Sequence, residues 1–299
     1  MKTITFSRDK HPDVALPVDF EWAGVYADAT CDGALVAAGS KVAVVGLARD
    51  IVGILPTSIG RIKDTVRHFA GWKAIVLEND STDGTKDILR QWAMDDPEHV
   101  IVELLDNGKP HLHGFEPART EAMAQYRNRC RELVRQHYPE ADYVLVVDLD
   151  AWGGWSLHGL INGIGWHERM PKAGCMASTS MFKHFGSMID GKRPWCHYDG
   201  WAFRWLGWSP RMGPWFTFWL PPPGCPPIEV NSAFGGLGIY KTAAYLEAEY
   251  SGEDCEHVPF HRRMQEKGWS IHLNPAQRTV MTWLAEEQEP PDGGNHGND

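Results

Sequence analysis

Asp148 and Asp150 flank Leu149 directly after the apolar run VLVV, and no other spacing in the chain speaks as directly of chemistry. Side chains two apart on an extended strand project to the same side, so both carboxylates face one point where the strand ends. Two such groups suit a hard ion, Mg²⁺ or Mn²⁺, which takes one or two carboxylates and completes its shell with substrate phosphates. An ion held there neutralises the charge that develops on a departing nucleoside diphosphate. Taken alone, the pair fits a solvated turn as well.

Other polar clusters have the same double character. Glu78–Thr85 (ENDSTDGT) follows another buried apolar run, and its acids, hydroxyls and glycine make a turn that caps the next helix. Gly252–His257 (GEDCEH) sets Asp254, Glu256 and His257 at the start of a helix, where the helix dipole favours carboxylates in any case. Arg127 offers fixed donors to a diphosphate or a nucleobase, or a surface ion pair with Glu121 or Glu132; Arg49 carries a similar ambiguity. The Gly235-Gly236 pair marks a plain turn or a close approach of backbone to a ligand.

These groups need a scaffold that gathers them, and the apolar pattern supplies one. Lys41–Leu47 reads as a strand buried on both faces, Trp72–Leu77 and His99–Leu104 as two more, and Asp142–Val147 as the strand that runs into Asp148. Ile59–Ala70 reads as a helix stopped by Gly71, Asp87–Ala93 as a second helix and Glu116–His137 as a long third one. The alternation predicts an α/β fold of one domain, a mostly parallel central sheet flanked by helices, with ligands at the carboxyl ends of the strands. Within it, residues 1–40 are expected to be an irregular lead-in, 41–150 a nucleotide-binding half, 151–284 a second half, and 285–299 a disordered tail. Val230–Lys241 reads as a strand entering a glycine turn, and Cys255–Lys267 as a last helix ending at Gly268. The stretch 193–228 is loop-rich; of Trp201, Trp205, Trp208, Trp215 and Trp219, most belong in the core and one or two beside a cleft.

With 43% hydrophobic residues and 14 tryptophans, the 299-residue chain has ample apolar surface for a packed interior. A formal charge of −10 argues against a broad electrostatic footprint for nucleic acid or anionic lipid, though not against a local basic groove. No secretory-type leader and no run of about 18 apolar residues is present, so a cytoplasmic protein without a membrane span is expected, in the host cytoplasm if the source is viral. Six cysteines without a CxxC pair read as reduced thiols rather than a zinc site.

ENDSTDGT resembles the acidic-S-T-D-G-T block of GT-A glycosyltransferases. Three further blocks match in the expected order: Leu47-Ala48-Arg49-Asp50, Tyr126-Arg127-Asn128, and Gly252–His257 followed by Arg262, Gly268-Trp269 and Asn274-Pro275. The resemblance implies the Rossmann-like GT-A fold and transfer of a sugar from a UDP- or GDP-sugar with Mn²⁺ or Mg²⁺. The acceptor is then a saccharide or other hydroxyl, or a modified DNA base in a viral setting, bound in the second half. The resemblance also implies donor contacts at Ala48, Arg49, Glu78, Asp80, Arg127 and Asp148, and metal ligation by Asp150. Asp148 then touches metal or ribose, and His257 is the third ligand, ahead of His261 and His272. Glu256 or Asp254 serves as the catalytic base, Glu256 having the better interval to Arg262, while a retaining transfer needs no enzymatic base. ENDSTDGT, the R-N pair and His197–Arg204 (HYDGWAFR) are most similar to the fungal capsule α-1,3-mannosyltransferase family, with Trp205 where that family has Asp. Two alternatives stand beside this reading. A sugar nucleotidyltransferase opens with a G-G-x-G-T-R loop that LARDIVGILP lacks, and a non-catalytic carbohydrate-binding protein keeps the fold without turnover.

Overall fold

β1 (Lys41–Ala48), β2 (Gly71–Asn79), β3 (Val100–Leu105) and β4 (Tyr143–Asp148) form a parallel block in the order β3-β2-β1-β4. They belong to a computed structural model that describes residues 20–112, 114, 116–183, 195–205 and 215–281, with Pro12 and Val18. Successive residues of β1 feed opposite cores. Ala43 and Val45 pack with α4 (Pro117–His137), α7 (Thr242–Glu247) and α8 (His257–Glu266), whereas Val42 and Val44 pack with α2 (Leu55–Val66), α3 (Thr85–Asp95) and α5 (Leu157–Arg169). Burial on both faces is why these strands read as unbroken apolar runs.

Beyond β4 the sheet continues through β9 (Leu237–Lys241), β6 (Ala173–Lys183), β10 (Ser270–Val280) and β5 (Gly154–Trp155). β9 runs antiparallel to both β4 and β6, and β10 runs parallel to β6. β7 (Trp195–His197) and β8 (Ile228–Val230) pair with β6 and β10, and α6 (Trp215–Phe218) is a single turn nearby. The α/β sheet flanked by helices is thus as the alternation predicts, with antiparallel pairing starting at β9.

The expected irregular lead-in is corrected: Ala23–Gly39 is a helix, α1. Its buried residues, Ala29, Gly33 and Ala37, recur every fourth position but are small, so they leave no large apolar stripe to read. They let α1 lie almost backbone to backbone on α5. A Cβ on Gly33 would stand 1.9 Å from the Ile161 carbonyl oxygen, and one on Gly165 1.8 Å from that of Ala29. α2 starts at Leu55, a turn before Ile59, because Pro56 has no N–H to leave unpaired in a first turn, and it stops at Val66. The strand expected at Val230–Lys241 splits into the end of β8, the glycine turn and β9; the last helix begins at His257, not Cys255. Residues 285–299 and Trp208 lie outside the described residues. Among the described residues no helix is long and apolar enough to cross a membrane, and Cys31, Cys130, Cys175 and Cys255 are free thiols.

Candidate active site

The chain builds outward from β1 to β2 and β3, then returns through α4 to lay β4 on the other edge of β1. The crevice at the carboxyl ends of the strands where order reverses is where open α/β sheets bind ligands. Register puts Glu78 beside Ala48 and Asp148 beside Leu47. The acidic turn and the paired aspartates therefore flank β1, two strand spacings or about 10 Å apart. A cleft of about 460 Å³ opens there, and Ala48, Arg49, Asn79, Arg127, Asp148, Asp150, Glu256 and His257 line it.

Arg127 is the hub of the floor. Its Nε donates to Glu256 Oε1 at 2.7 Å, Nη2 faces Asp148 Oδ1 at 3.5 Å, and the guanidinium lies 5.1 Å from the Phe234 ring centroid. The surface ion pair with Glu121 or Glu132 is thereby corrected, because α4 turns Arg127 inward. Burial works against its charge, but Glu256 and Asp148 outweigh burial and keep it protonated. Burial likewise raises the carboxyls of Asp148 and Asp150 above the usual range, with Arg127 opposing.

Asp148 is positioned through a residue to which the sequence assigns no role. The Asp148 N–H donates to the Gly236 carbonyl at 2.8 Å. Asp199 holds the same turn: its Oδ2 accepts from Gly235 N at 2.7 Å and its Oδ1 from Ala202 N at 3.1 Å. Gly235 has φ +65°, and a Cβ there would lie 2.0 Å from the Ser178 carbonyl oxygen, so glycine is required. Asp199 also lines the cleft, and burial raises its carboxyl against the pull of those two backbone bonds.

His257 is buried against Phe234, with ring centroids 3.9 Å apart, and neither ring nitrogen has a hydrogen-bond partner. Burial first, then Arg127, holds the imidazole neutral, the form that ligates metal. Neither runner-up lines the cleft: Ser232 and Tyr240 bond both ring nitrogens of His261, and Ser270 bonds Nε2 of His272, whose Nδ1 has no hydrogen-bond partner. Among the described residues no three His, Cys, Asp or Glu side chains are arranged to hold an ion unaided. The donor set nevertheless fits one. Asp148 and Asp150, which Arg127 alone does not balance, line the same cleft as the neutral imidazole of His257, whose Nε2 stands 3.5 Å from Glu256 Oε1, and these donor types suit a hard ion whose remaining ligands are phosphate and water.

Four candidates are placed differently. Glu78 Oε1 accepts from Ser81 N at 2.6 Å, within its own turn, and Asp80 Oδ1 from Gly108 N at 2.8 Å, in the loop after β3, while Asn79 between them lines the cleft. Each keeps one buried oxygen without a hydrogen-bond partner. Asp254 lies outside the cleft lining and accepts from the fully buried Arg204 at 2.7 Å. Arg49, though in the lining, spends its guanidinium on the carbonyls of Lys109 and Pro110, at 2.9 and 3.4 Å, securing the loop after β3. Of the tryptophans, Trp205 and Trp219 pack on the core, and Trp201 both packs there and lines the cleft.

The sequence matches no protein-family model and no curated protein. Among solved structures, the chain is similar to GalNAc-T7 crystallised with UDP, GalNAc and Mn²⁺: TM-score 0.56, 12% identity, covering 91% of this chain and 54% of that one. The chain thus spans about half the length of that structure, and the likeness is one of fold, the GT-A glycosyltransferase fold. A mannosyltransferase from Pyrobaculum calidifontis with GDP-Man and Mn²⁺ (13% identity, 87% of this chain, 67% of that one) and S. aureus TarS (13%, 81% and 60%) each give a TM-score of 0.47, too loose a match to inform the site.

Proposed function

We propose that the chain is a divalent-metal-dependent glycosyltransferase that moves a sugar from a UDP- or GDP-sugar to an acceptor hydroxyl. The observation that carries this reading is the convergence of Asp148, Asp150, Arg127 and Glu256 on one cleft at the reversal point of a GT-A-type sheet. Asp148, Asp150 and His257 would hold Mn²⁺ or Mg²⁺, which supplies charge neutralisation at the leaving diphosphate. Arg127, kept charged and aimed by Glu256, donates to the phosphates. Ala48, Asn79 and the turn with Glu78 and Asp80 hold the nucleoside.

Glu256 Oε1 is committed to Arg127, while Oε2 meets the Cys255 thiol at 3.8 Å. Oε2 would then be the oxygen that receives the acceptor's proton in a transfer that inverts the anomeric centre. Asp254 acts on this loop from behind, through Arg204, rather than as a base. The likeness to the capsule mannosyltransferases supports hexosyl transfer without naming the donor, and a net charge of −10 favours a saccharide over DNA as acceptor.

The test is incubation of the purified chain with Mn²⁺ and a panel of UDP-, GDP- and dTDP-sugars, reading released nucleoside diphosphate. Metal-dependent release from donors of one nucleotide is expected. Silence across the panel, with no thermal stabilisation by any donor, would overturn the enzyme reading in favour of a carbohydrate-binding protein of the same fold.

A further inference from the structure

One cation on the cleft wall is left without work by the donor chemistry. Arg119, in the first turn of α4, lines the cleft with its guanidinium over the Trp201 ring, 5.1 Å from the centroid. Its hydrogen bond is a long one, to the Gly114 carbonyl at 3.4 Å, and no ion pair to it occurs among the described residues. Arg127 and Arg204, by contrast, each have a carboxylate at 2.7 Å. Lys109, exposed on the same rim, also lacks an acidic partner among the described residues.

Position separates Arg119 from the donor phosphates. It is eight residues from Arg127 on one helix, about 12 Å along the axis, and its stacking partner comes from the second half of the chain. A guanidinium held over an indole, with one Nη on the Gly114 carbonyl, keeps further N–H donors for a phosphate or carboxylate. On a chain of net charge −10, unpaired cations gathered at a cleft mouth draw an anion to that place. Arg119 and Asp150 line the same cleft, so a group held by Arg119 shares that cleft with the donor.

We infer that Arg119, oriented by Trp201, recognises the acceptor, and that the acceptor carries a phosphate or carboxylate near the hydroxyl that is glycosylated. The word acceptor rests on the glycosyltransferase reading; the anion site rests on Arg119 alone.

The probe is inorganic phosphate, titrated calorimetrically into the full chain, first free and then saturated with UDP or GDP and Mg²⁺. Phosphate is expected to bind in both states, at least tenfold more weakly in Arg119→Ala, several-fold more weakly in Trp201→Leu and to an intermediate degree in Arg119→Lys. Nucleotide affinity should change less than twofold in all three. Displacement of the phosphate by glucose 6-phosphate or by glucuronate identifies the anion, and displacement by neither overturns the proposal. So does competition between phosphate and bound nucleotide, or a tenfold loss of nucleotide affinity in Arg119→Ala, since the cation would then serve the donor. If no nucleotide binds, the glycosyltransferase reading falls, and the titration of the free chain still decides the anion site.

Discussion

At the floor of the cleft, Arg127 is shared between Glu256 and Asp148, and Asp150 has no ion pair among the described residues. A missing positive charge is thereby written into the site, and a divalent ion is the group of the right charge and hardness to supply it. Asp150→Ala should accordingly weaken metal-dependent donor binding by about 100-fold or more, the several kcal/mol that a charge-neutralising ion contributes. It should leave the melting temperature unchanged or slightly raised, because a poorly compensated, half-buried acid is removed. Nucleotide titrations with and without Mn²⁺ read the first quantity and circular dichroism the second; full metal-dependent binding in the variant would reassign the metal ligand. Asp148, Asp150, Arg127, Glu256 and His257 were legible in the sequence because each stands in a local block with distinctive spacing. Their partners were not. Asp254 and Glu256 are two residues apart at one helix start, and what separates their surroundings is Arg204, fifty positions earlier, which holds Asp254 outside the cleft lining. Asp199 was hidden for a related reason: its two bonds go to the backbone of residues 202 and 235, and backbone N–H groups leave no mark on a sequence.

Elements were legible in proportion to the size of the side chains they bury. β1, β2 and β4 carry Val, Ile and Leu into two cores and announce themselves, while α1 buries Ala29, Gly33 and Ala37 and does not. β6 and β10 bury Ser178, Thr179, Ser180, Asn274 and Thr279, with Gln277 Nε2 bonded to the Met176 and Leu237 carbonyls and to Ser178 Oγ; their polar runs look like loop until those partners are seen. The α1–α5 contact is strict, since no side chain fits between backbones at that separation. Gly33→Val should destabilise the chain by about 3 kcal/mol, the upper range for overpacking, read as a lowered denaturant midpoint; an unchanged midpoint would mean that α1 does not dock as described. A different constraint holds the loops after β1 and β2 together. Asp83 Oδ1 accepts from Thr85 N and Thr85 Oγ1, and its Oδ2 from Val52 N. Burial works against this carboxylate, yet the hydrogen bonds from Thr85 and Val52 hold its pKa below 3.8. The sign follows: the folded-state value is the lower one, so the stabilisation is whole above the unfolded value and disappears as pH falls through the folded one. The difference in melting temperature between wild type and Asp83→Asn should therefore be largest near neutrality and shrink below about pH 4. A difference that ignores pH would show the charge to be irrelevant.

For the molecule as a whole, the decisive feature is that the sheet does not stop at the boundary between the two halves. β4, which carries Asp148, is bonded along its length to β9, and β9 in turn to β6. Residues 41–150 and 151–281 thus share hydrogen bonds and both cores, and neither half closes its own sheet edge without the other. One cooperative thermal transition is expected, rather than the two that separable domains would give. The cleft draws on both halves as well, Ala48, Arg127 and Asp148 from the first and Phe234, Glu256 and His257 from the second. A donor nucleotide bound there with its ion should stabilise that single transition as one unit. At a concentration 100 times Kd the linkage amounts to about 2.7 kcal/mol, which for a chain of this size is a rise of about 5 °C in melting temperature. Because the ion is proposed to join protein to diphosphate, nucleotide alone or Mn²⁺ alone should give much less than the two together. Scanning calorimetry with each ligand separately and then jointly measures this; two resolved transitions, or shifts from nucleotide and ion that merely add, would mean that the halves do not close a common site around a bridging metal.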